Sequence, residues 1–348
     1  CLEVLERDPT DVSAANKLVL IPWQTGDYAR CATVPDEARE TSRVAHLGLM
    51  DAFGERRPYT IDWRGADRAE VSLLVTDPLP VLKLSVNGRE LTAIIDTGAN
   101  ALVVDAGLSK NLGIDTKAKL QGVFAGGMGA EVGLGIADSV ELGGIGIGNV
   151  PVALLPTGGM TIADNPVQAI VGTNFLRRFL ATVDYPNGLL VLRDPEGASA
   201  ADFYKESRES VVGDVPFFLA STHFLMAPGS LNGVGGLMFH VDSGLAGDPS
   251  FGAPLQTLEY VGIPVPDLES EGQEAVGGGG MLRAASFPID ELGLGSLRQQ
   301  NLIGSFGMSP PRMYRMLGFI NDGTLSHGFL RSYAWTLDFT RMRMVFTQ

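Results

Sequence analysis

The spacing of apolar residues changes near residue 68, and the change divides the chain. Before it, Ala14, Ala15, Leu18 and Leu20 follow the polar run Asp8-Pro9-Thr10-Asp11, and Gly26-Asp27-Tyr28 interrupts them. This predicts a short helix, a turn and a second helix reaching about Met50, with Asp8 or Thr10 as N-cap and Gly26 as the break. After residue 68, short apolar runs alternate with Gly, Pro and Asn. Strands are predicted over 70–75, 79–86 and 91–95. Asn87-Gly88 suits a two-residue type I′ hairpin, whose central residues both need positive φ. Further on, the pattern predicts a short helix over 106–112, alternating strand over 140–155 and a helical turn within 174–180. Strands over 181–185 and 189–192 follow, joined by Pro186-Asn187-Gly188.

An internal duplication runs through the strand-rich part. Phe175-Leu-Arg-Arg-Phe-Leu-Ala-Thr-Val-Asp-Tyr185 aligns without a gap on Phe329-Leu-Arg-Ser-Tyr-Ala-Trp-Thr-Leu-Asp-Phe339, an offset of 154. Asp96-Thr97-Gly98 recurs as Asp242-Ser243-Gly244, an offset of 146. Each triplet ends an apolar run and is followed by a glycine-rich segment, 122–129 in the first copy and 277–280 in the second. Landmarks repeated in order are stronger evidence than any one motif. The chain therefore divides into a helical extension over 1–66, a first lobe over 67–195, a polar linker over 196–213 and a second lobe over 214–348. The extension resembles a single tetratricopeptide-type hairpin, which cannot bury its own apolar face and should pack on the lobe that follows.

Composition narrows the class. Hydrophobic residues at 45% and charged residues at 19% describe a folded protein, and 44 Gly with 20 Pro favour many strands and tight turns. A net charge of -14 argues against nucleic-acid binding, since nothing here replaces the counterions of a phosphate backbone. Two cysteines, Cys1 and Cys31, exclude a disulfide-rich scaffold and supply no metal cluster. A chain opening on Cys reads either as a lipoprotein lipidated at Cys1, on the periplasmic side of a cell envelope or secreted, or as a trimmed end. The uncharged run 142–163 is broken by six glycines, two prolines and Asn149, which is strand and turn and no membrane span.

The chemistry lies in the triplets. A carboxylate between two apolar runs costs several kcal/mol unless paired or hydrogen-bonded. Two carboxyls sharing one proton around a water turn that water into a nucleophile, one accepting its proton while the other polarises a carbonyl. Like charges about 3 Å apart cannot both ionise, so such a pair titrates as a unit. The glycines let backbone approach the carboxylates, and the hydroxyls of Thr97 and Ser243 can tie the two loops together. His240 and Asp242 share a strand face, but His46, His223 and His327 have no matching spacing, so no metal or cofactor is assigned. Gly144-Ile-Gly-Ile-Gly148 precedes Pro151 and more strand, which excludes a nucleotide loop. Trp23, Trp63 and Trp335 are read as packing.

Ala93-Ile-Ile-Asp-Thr-Gly-Ala-Asn-Ala-Leu-Val-Val104, with Ala169-Ile-Val-Gly172 downstream, resembles the retropepsin and pepsin group of aspartic proteases. The likeness covers 78–193 well and 214–347 more loosely. It implies an all-β fold of two similar closed six-stranded β-barrel lobes related by a pseudo-twofold, beside the short helical extension. It also implies peptide-bond hydrolysis without metal in the cleft between the lobes, on a protein or peptide substrate. Asp96 and Asp242 would be the catalytic pair, with Thr97 and Ser243 as interlobe hydroxyls and Gly98 and Gly244 as approach glycines. Gly172 would be the glycine of the apolar-apolar-Gly motif. Gly126, Gly127 and Met128, with Gly278 and Gly279, would form flaps over the cleft. Leu245 stands where the group has Ala, Ser or Thr, and neither flap segment carries a tyrosine. Ser326 aligns with Gly172, while Leu302-Ile303-Gly304 competes for that role. A monomer using both aspartates is the favoured arrangement. The alternatives are a homodimer using Asp96 twice and a peptide-binding module without catalysis.

Overall fold

The computed structural model describes residues 1–42, 44–123, 129–157, 159–277, 280–308 and 317–348. Its strands form three principal sheets. In the first lobe, strands Ile145–Leu155, Leu102–Asp105, Ala169–Val171, Arg89–Ile95, Val81–Val86 and Gly129–Leu142 pair in that order. The last also pairs with the first, which closes a six-stranded barrel. In the second lobe, Phe224–Leu231, Val234–Val241, Gly323–Leu325, Phe251–Ala253, Leu297–Phe306 and Gly280–Leu294 close in the same way. The two barrels are the all-β, bilobal fold expected. Closure removes the open sheet edges that would otherwise template aggregation.

The repeated tails behave differently from the expectation that each stays with its own lobe. Strands Val211–Pro216, Arg343–Thr347, Ala334–Asp338, Leu180–Asp184, Leu189–Arg193 and Arg68–Ser72 form one antiparallel six-stranded sheet shared by both lobes. At its centre Thr182 faces Thr336, equivalent residues of the duplication. A single apolar core runs from the first barrel through this sheet into the second, with Phe175, Phe329, Trp335 and Phe346 fully buried. Trp23 is buried in the extension, and Trp63 packs partly buried on the main core. The lobes therefore share a core and move apart only by exposing it.

Local geometry follows residue chemistry. Asn87 and Gly88 take φ of 48° and 80°, as a type I′ turn requires. The region expected as a polar linker carries the helix Ala198–Glu206, whose Ala200 and Phe203 pack against Leu180 and Val345 on the shared sheet. Too few apolar positions mark this helix for periodicity to reveal it.

Among its described residues the extension holds four α-helices, Leu2–Arg7, Val12–Thr25, Asp36–Thr41 and His46–Phe53, where two were expected. The cap of the long helix is Asp11, whose side chain accepts from Ala14 N at 2.8 Å, and Gly26 ends it in the left-handed region. Val19, Trp23, Tyr28, Leu49, Met50 and Phe53 bury against Val132, Leu134 and Ile136 on the outside of the first barrel. At about 1.5–3 kcal/mol per buried large side chain, that face holds the extension on the lobe. Among the described residues no helix is long and apolar enough to cross a membrane.

Candidate active site

Each triplet hangs on the same device. Strand Arg89–Ile95 runs parallel to Ala169–Val171, with Ile95 opposite Val171, and Asp96 N donates to Val171 O at 3.1 Å. Strand Val234–Val241 runs parallel to Gly323–Leu325, with Val241 opposite Leu325, and Asp242 N donates to Leu325 O at 2.8 Å. Both aspartates therefore leave their strands at one level and in one orientation, facing each other across the lobe boundary.

The hydroxyls beside them lock that meeting. Thr97 Oγ1 donates to Val241 O at 2.9 Å and accepts from Ser243 N at 3.0 Å. Ser243 Oγ donates to Ile95 O at 3.1 Å and accepts from Thr97 N at 3.0 Å. Both side chains are fully buried, so these four bonds are not replaceable by water.

The glycines are required by space. A Cβ on Gly98 would lie 2.6 Å from Asp242 Oδ2, and one on Gly244 would lie 2.1 Å from the Asp96 carboxyl carbon. Each glycine sits against the other lobe's carboxyl and donates to its own, Gly98 N to Asp96 Oδ1 at 2.7 Å and Gly244 N to Asp242 Oδ1 at 2.9 Å. The two carboxyls face each other across the lobe boundary, each against the other triplet's glycine. Burial first, and then the charge and hydrogen-bonding capacity of the neighbouring Asp242 carboxyl, hold Asp96 well above the ordinary carboxylate range. The N–H groups of Gly98 and Ala99 pull the other way. One shared proton is the state this geometry favours.

Gly172 follows Val171 and lies directly on the carbonyls of Ala99 and Ala101, where no side chain fits. Thr173 N donates to Ala99 O at 2.9 Å, and Thr173 Oγ1 to Thr97 O at 2.8 Å. In the second lobe Ser326 takes the matching place after Leu325. Leu302-Ile303-Gly304 lies elsewhere, in the strand parallel to Phe251–Ala253. Ser326 fits because the second copy has a longer loop after its triplet: Asp96 is followed by a strand starting at Leu102, Asp242 by one starting at Phe251. Ser326 Oγ fills that room by donating to Pro249 O at 2.5 Å. Leu245, at the Ala99 position, is half-buried against Gly252. Gly126, Gly127, Met128, Gly278 and Gly279 lie outside the described residues. The strands flanking them, Ala118–Val123 with Gly129–Leu142 and Gln273–Gly277 with Gly280–Leu294, form antiparallel hairpins.

Several neighbours of the pair were not singled out from sequence. His223 of the second lobe reaches Gly98 O of the first, with Nε2 2.9 Å away. Asp77 of the first lobe meets Arg331 Nη1 at 2.9 Å and His327 Nε2 at 3.1 Å in the second. Asp77 and His223 stand equally far before their triplets, and Thr173 and His327 are likewise equivalent. Carrying the duplication upstream and downstream of the triplets would have flagged all four. His240 is buried with its ring edge-on to Phe224, and among the described residues its Nε2 has no hydrogen-bond partner. Burial holds it below the ordinary histidine range.

Comparison with known proteins agrees with this geometry. Residues 82–175 match the aspartyl protease family, so the first lobe is of the retropepsin and pepsin kind. The DNA damage-inducible protein 1 of Kluyveromyces lactis is 24% identical over 172 residues, 49% of this chain and 38% of the relative. That of Saccharomyces cerevisiae is 22% identical over 165 residues, 47% of this chain and 36% of the relative. The matched part thus spans well under half of either relative's length. A retropepsin-like aspartic protease from Rickettsia conorii is a structural neighbour at 19% identity, covering 38% of this chain and 93% of its own, with a TM-score of 0.29.

Proposed function

We propose that the protein is a single-chain aspartic endopeptidase that hydrolyses peptide bonds with a water activated between Asp96 and Asp242. The observation that carries this reading is that each carboxyl lies directly against the glycine of the opposite triplet within one chain, framed by the reciprocal bonds of Thr97 and Ser243. With one proton on the pair, the ionised carboxyl takes a proton from the water as it attacks the scissile carbonyl. The protonated carboxyl donates to the carbonyl oxygen, giving a tetrahedral diol. On collapse the C–N bond breaks and the newly protonated carboxyl gives its proton to the leaving amine. The other carboxyl takes one from a diol hydroxyl as the acid product forms, so the pair ends in its starting protonation state. Both proton roles are filled by the aspartates, and the substrate is an extended peptide or unfolded protein segment lying in the cleft.

The test is turnover of an unfolded protein and of a peptide library by the whole chain, beside Asp96→Asn and Asp242→Asn. Each substitution should lower kcat/KM by about 1,000-fold or more, since general acid–base catalysis alone contributes ~100–10,000-fold. Activity that survives Asp242→Asn and rises with the square of protein concentration would support the two-chain arrangement instead. Peptide binding without cleavage at any pH from 3 to 8, a range of about five units around the carboxylate and histidine values, would leave the non-catalytic module.

A further inference from the structure

His223 lies in the turn between strands Phe218–Ala220 and Phe224–Leu231 of the second lobe, outside both triplets. Its place in the first copy is taken by Asp77, which cannot donate as an imidazole does. The contacts of His223 fix its tautomer. Gly98 O can only accept, so Nε2, 2.9 Å away, carries the hydrogen. Nδ1 is 2.9 Å from Thr222 Oγ1, which itself accepts from Asn100 Nδ2 at 3.1 Å, leaving the threonine hydrogen to point at Nδ1. The orientation of Asn100 is set in turn by Asn174 Nδ2, which donates to its Oδ1 and also to Thr222 O at 3.3 Å. A directed chain of donors thus runs Asn174, Asn100, Thr222, His223, Gly98. It leaves the first lobe, passes through the second and returns on the loop that carries Asp96.

The peptide at which this chain ends is the one that matters to Asp96. Gly98 O and Ala99 N belong to one amide, and Ala99 N–H donates to the backbone oxygen of Asp96 at 3.2 Å and helps to pull the Asp96 carboxyl downward. Donation into a carbonyl polarises the amide and strengthens its N–H as a donor, by about 10–30% per bond. We propose that His223, as the neutral Nε2–H imidazole, is a positioning residue for the carboxyl pair: it holds and polarises the Gly98–Ala99 amide against Asp96 from the opposite lobe. The proposal rests on the protease reading for its kinetic consequence and stands on geometry for its electrostatic one.

The groups facing the ring favour the neutral form this role needs. Burial first, and then His240, push His223 down to about 4, while Gly98 O and Asp242 pull it up. Phe224 covers one face of the ring, with centroids 4.1 Å apart. A second proton, on Nδ1, would force the Thr222 hydroxyl to turn its hydrogen elsewhere.

Two polar substitutions separate reach from mere packing. In His223→Gln the amide nitrogen reaches Gly98 O. In His223→Asn it does not, while the contact with Thr222 is kept. The Asn variant should lose about two- to fivefold in kcat with KM within twofold, and the acid limb of kcat/KM should rise by about half a pH unit, as expected for a carboxylate whose hydrogen-bond donor is weakened. The Gln variant should recover most of both. Carbon-13 NMR titration of the aspartate carboxyls, which needs no turnover, should show Asp96 titrating higher in the Asn variant than in the wild type or the Gln variant. An Asp96 titration unmoved by His223→Asn overturns the proposal, and so do Asn and Gln variants that fall equally in kcat and melting temperature. If the wild type cleaves nothing, the protease reading fails while the titration still decides the role of His223.

Discussion

Thr182 and Thr336 meet at the middle of the shared sheet with their hydroxyl oxygens 2.7 Å apart and buried. They are equivalent residues of the two copies, so the pseudo-twofold axis passes between them. Arg193 Nη1 also donates to Thr182 Oγ1 at 2.9 Å, a partner that breaks the symmetry at its centre. The same axis passes between Thr97 and Ser243. Two hydroxyl pairs on one line hold the lobes in register, one in the sheet and one beside the carboxyls.

Removing a hydroxyl of the second pair strands backbone groups that water cannot reach. Thr97→Val keeps the shape and leaves Ser243 N and Val241 O without that partner, at about 1–3 kcal/mol each. Ser243→Ala does the same to Thr97 N and Ile95 O. Each variant should lose ~2–5 kcal/mol in chemical denaturation, and the double variant less than the sum, because one broken frame costs the other its value. Strict additivity would mean that the two hydroxyls act independently.

A methyl group on either approach glycine strikes the opposite carboxyl. In Gly98→Ala the new Cβ lies 2.6 Å from Asp242 Oδ2, and in Gly244→Ala it lies 2.1 Å from the Asp96 carboxyl carbon. The carboxyls must separate. A misplacement of about 1 Å in a reacting group costs on the order of 100-fold, so both variants should fall at least that far in kcat. Wild-type turnover by Gly244→Ala would mean that the pair as seen is not the reacting geometry.

Much of this arrangement was legible in the sequence. Two apolar strands ending in Asp-hydroxyl-Gly, in one order with one tail, marked the duplication, and the resemblance they carry implied the two barrels. The shared six-stranded sheet was not, because the alternation of Leu180–Asp184 and Ala334–Asp338 looks the same whichever lobe claims them. The helix Ala198–Glu206 was hidden by its polarity. The lacing of Asn100, Thr222 and His223 joins residues more than 120 positions apart through single atoms, and no local pattern encodes that.

Acid should destabilise the fold through its histidines. Burial pushes His46 and His223 down to about 4 and lowers His240 and His327 as well. In each case the folded value lies below the unfolded one of about 6.5. The unfolded chain therefore binds more protons between those limits, and this stability is full above about pH 6.5 and lost as pH falls toward 4. Asp96 works in the opposite sense, since its raised folded value adds stability that disappears as pH rises through it. Asp322, half-buried and likewise raised, joins Asp96, so four histidines oppose two carboxyls and the melting temperature should fall from pH 7 to pH 4.5. His46→Phe, placed against Trp23 at a centroid distance of 4.3 Å, should flatten that fall. A melting temperature that climbs on acidification would show the carboxyl pair to dominate.

The two ends of the pseudo-symmetric motif should respond oppositely to the same exchange. Gly172 has negative φ, so its constraint is space and not backbone conformation: the carbonyls of Ala99 and Ala101 occupy the position of any side chain. Gly172→Ser overpacks a closed site and should cost about 1–3 kcal/mol, with loss of activity because Thr173 and the Asp96 loop shift together. Ser326→Gly removes the bonds of Oγ with Pro249 O and with Gly328 N at 3.1 Å. It should cost only about 1 kcal/mol and leave turnover within a few-fold, since the longer loop after Asp242 already makes the room. Denaturation midpoints and kcat for the two variants decide this. If Ser326→Gly loses as much as Gly172→Ser in both, the two lobes support their aspartates in the same way and the longer loop is not what lets serine replace glycine.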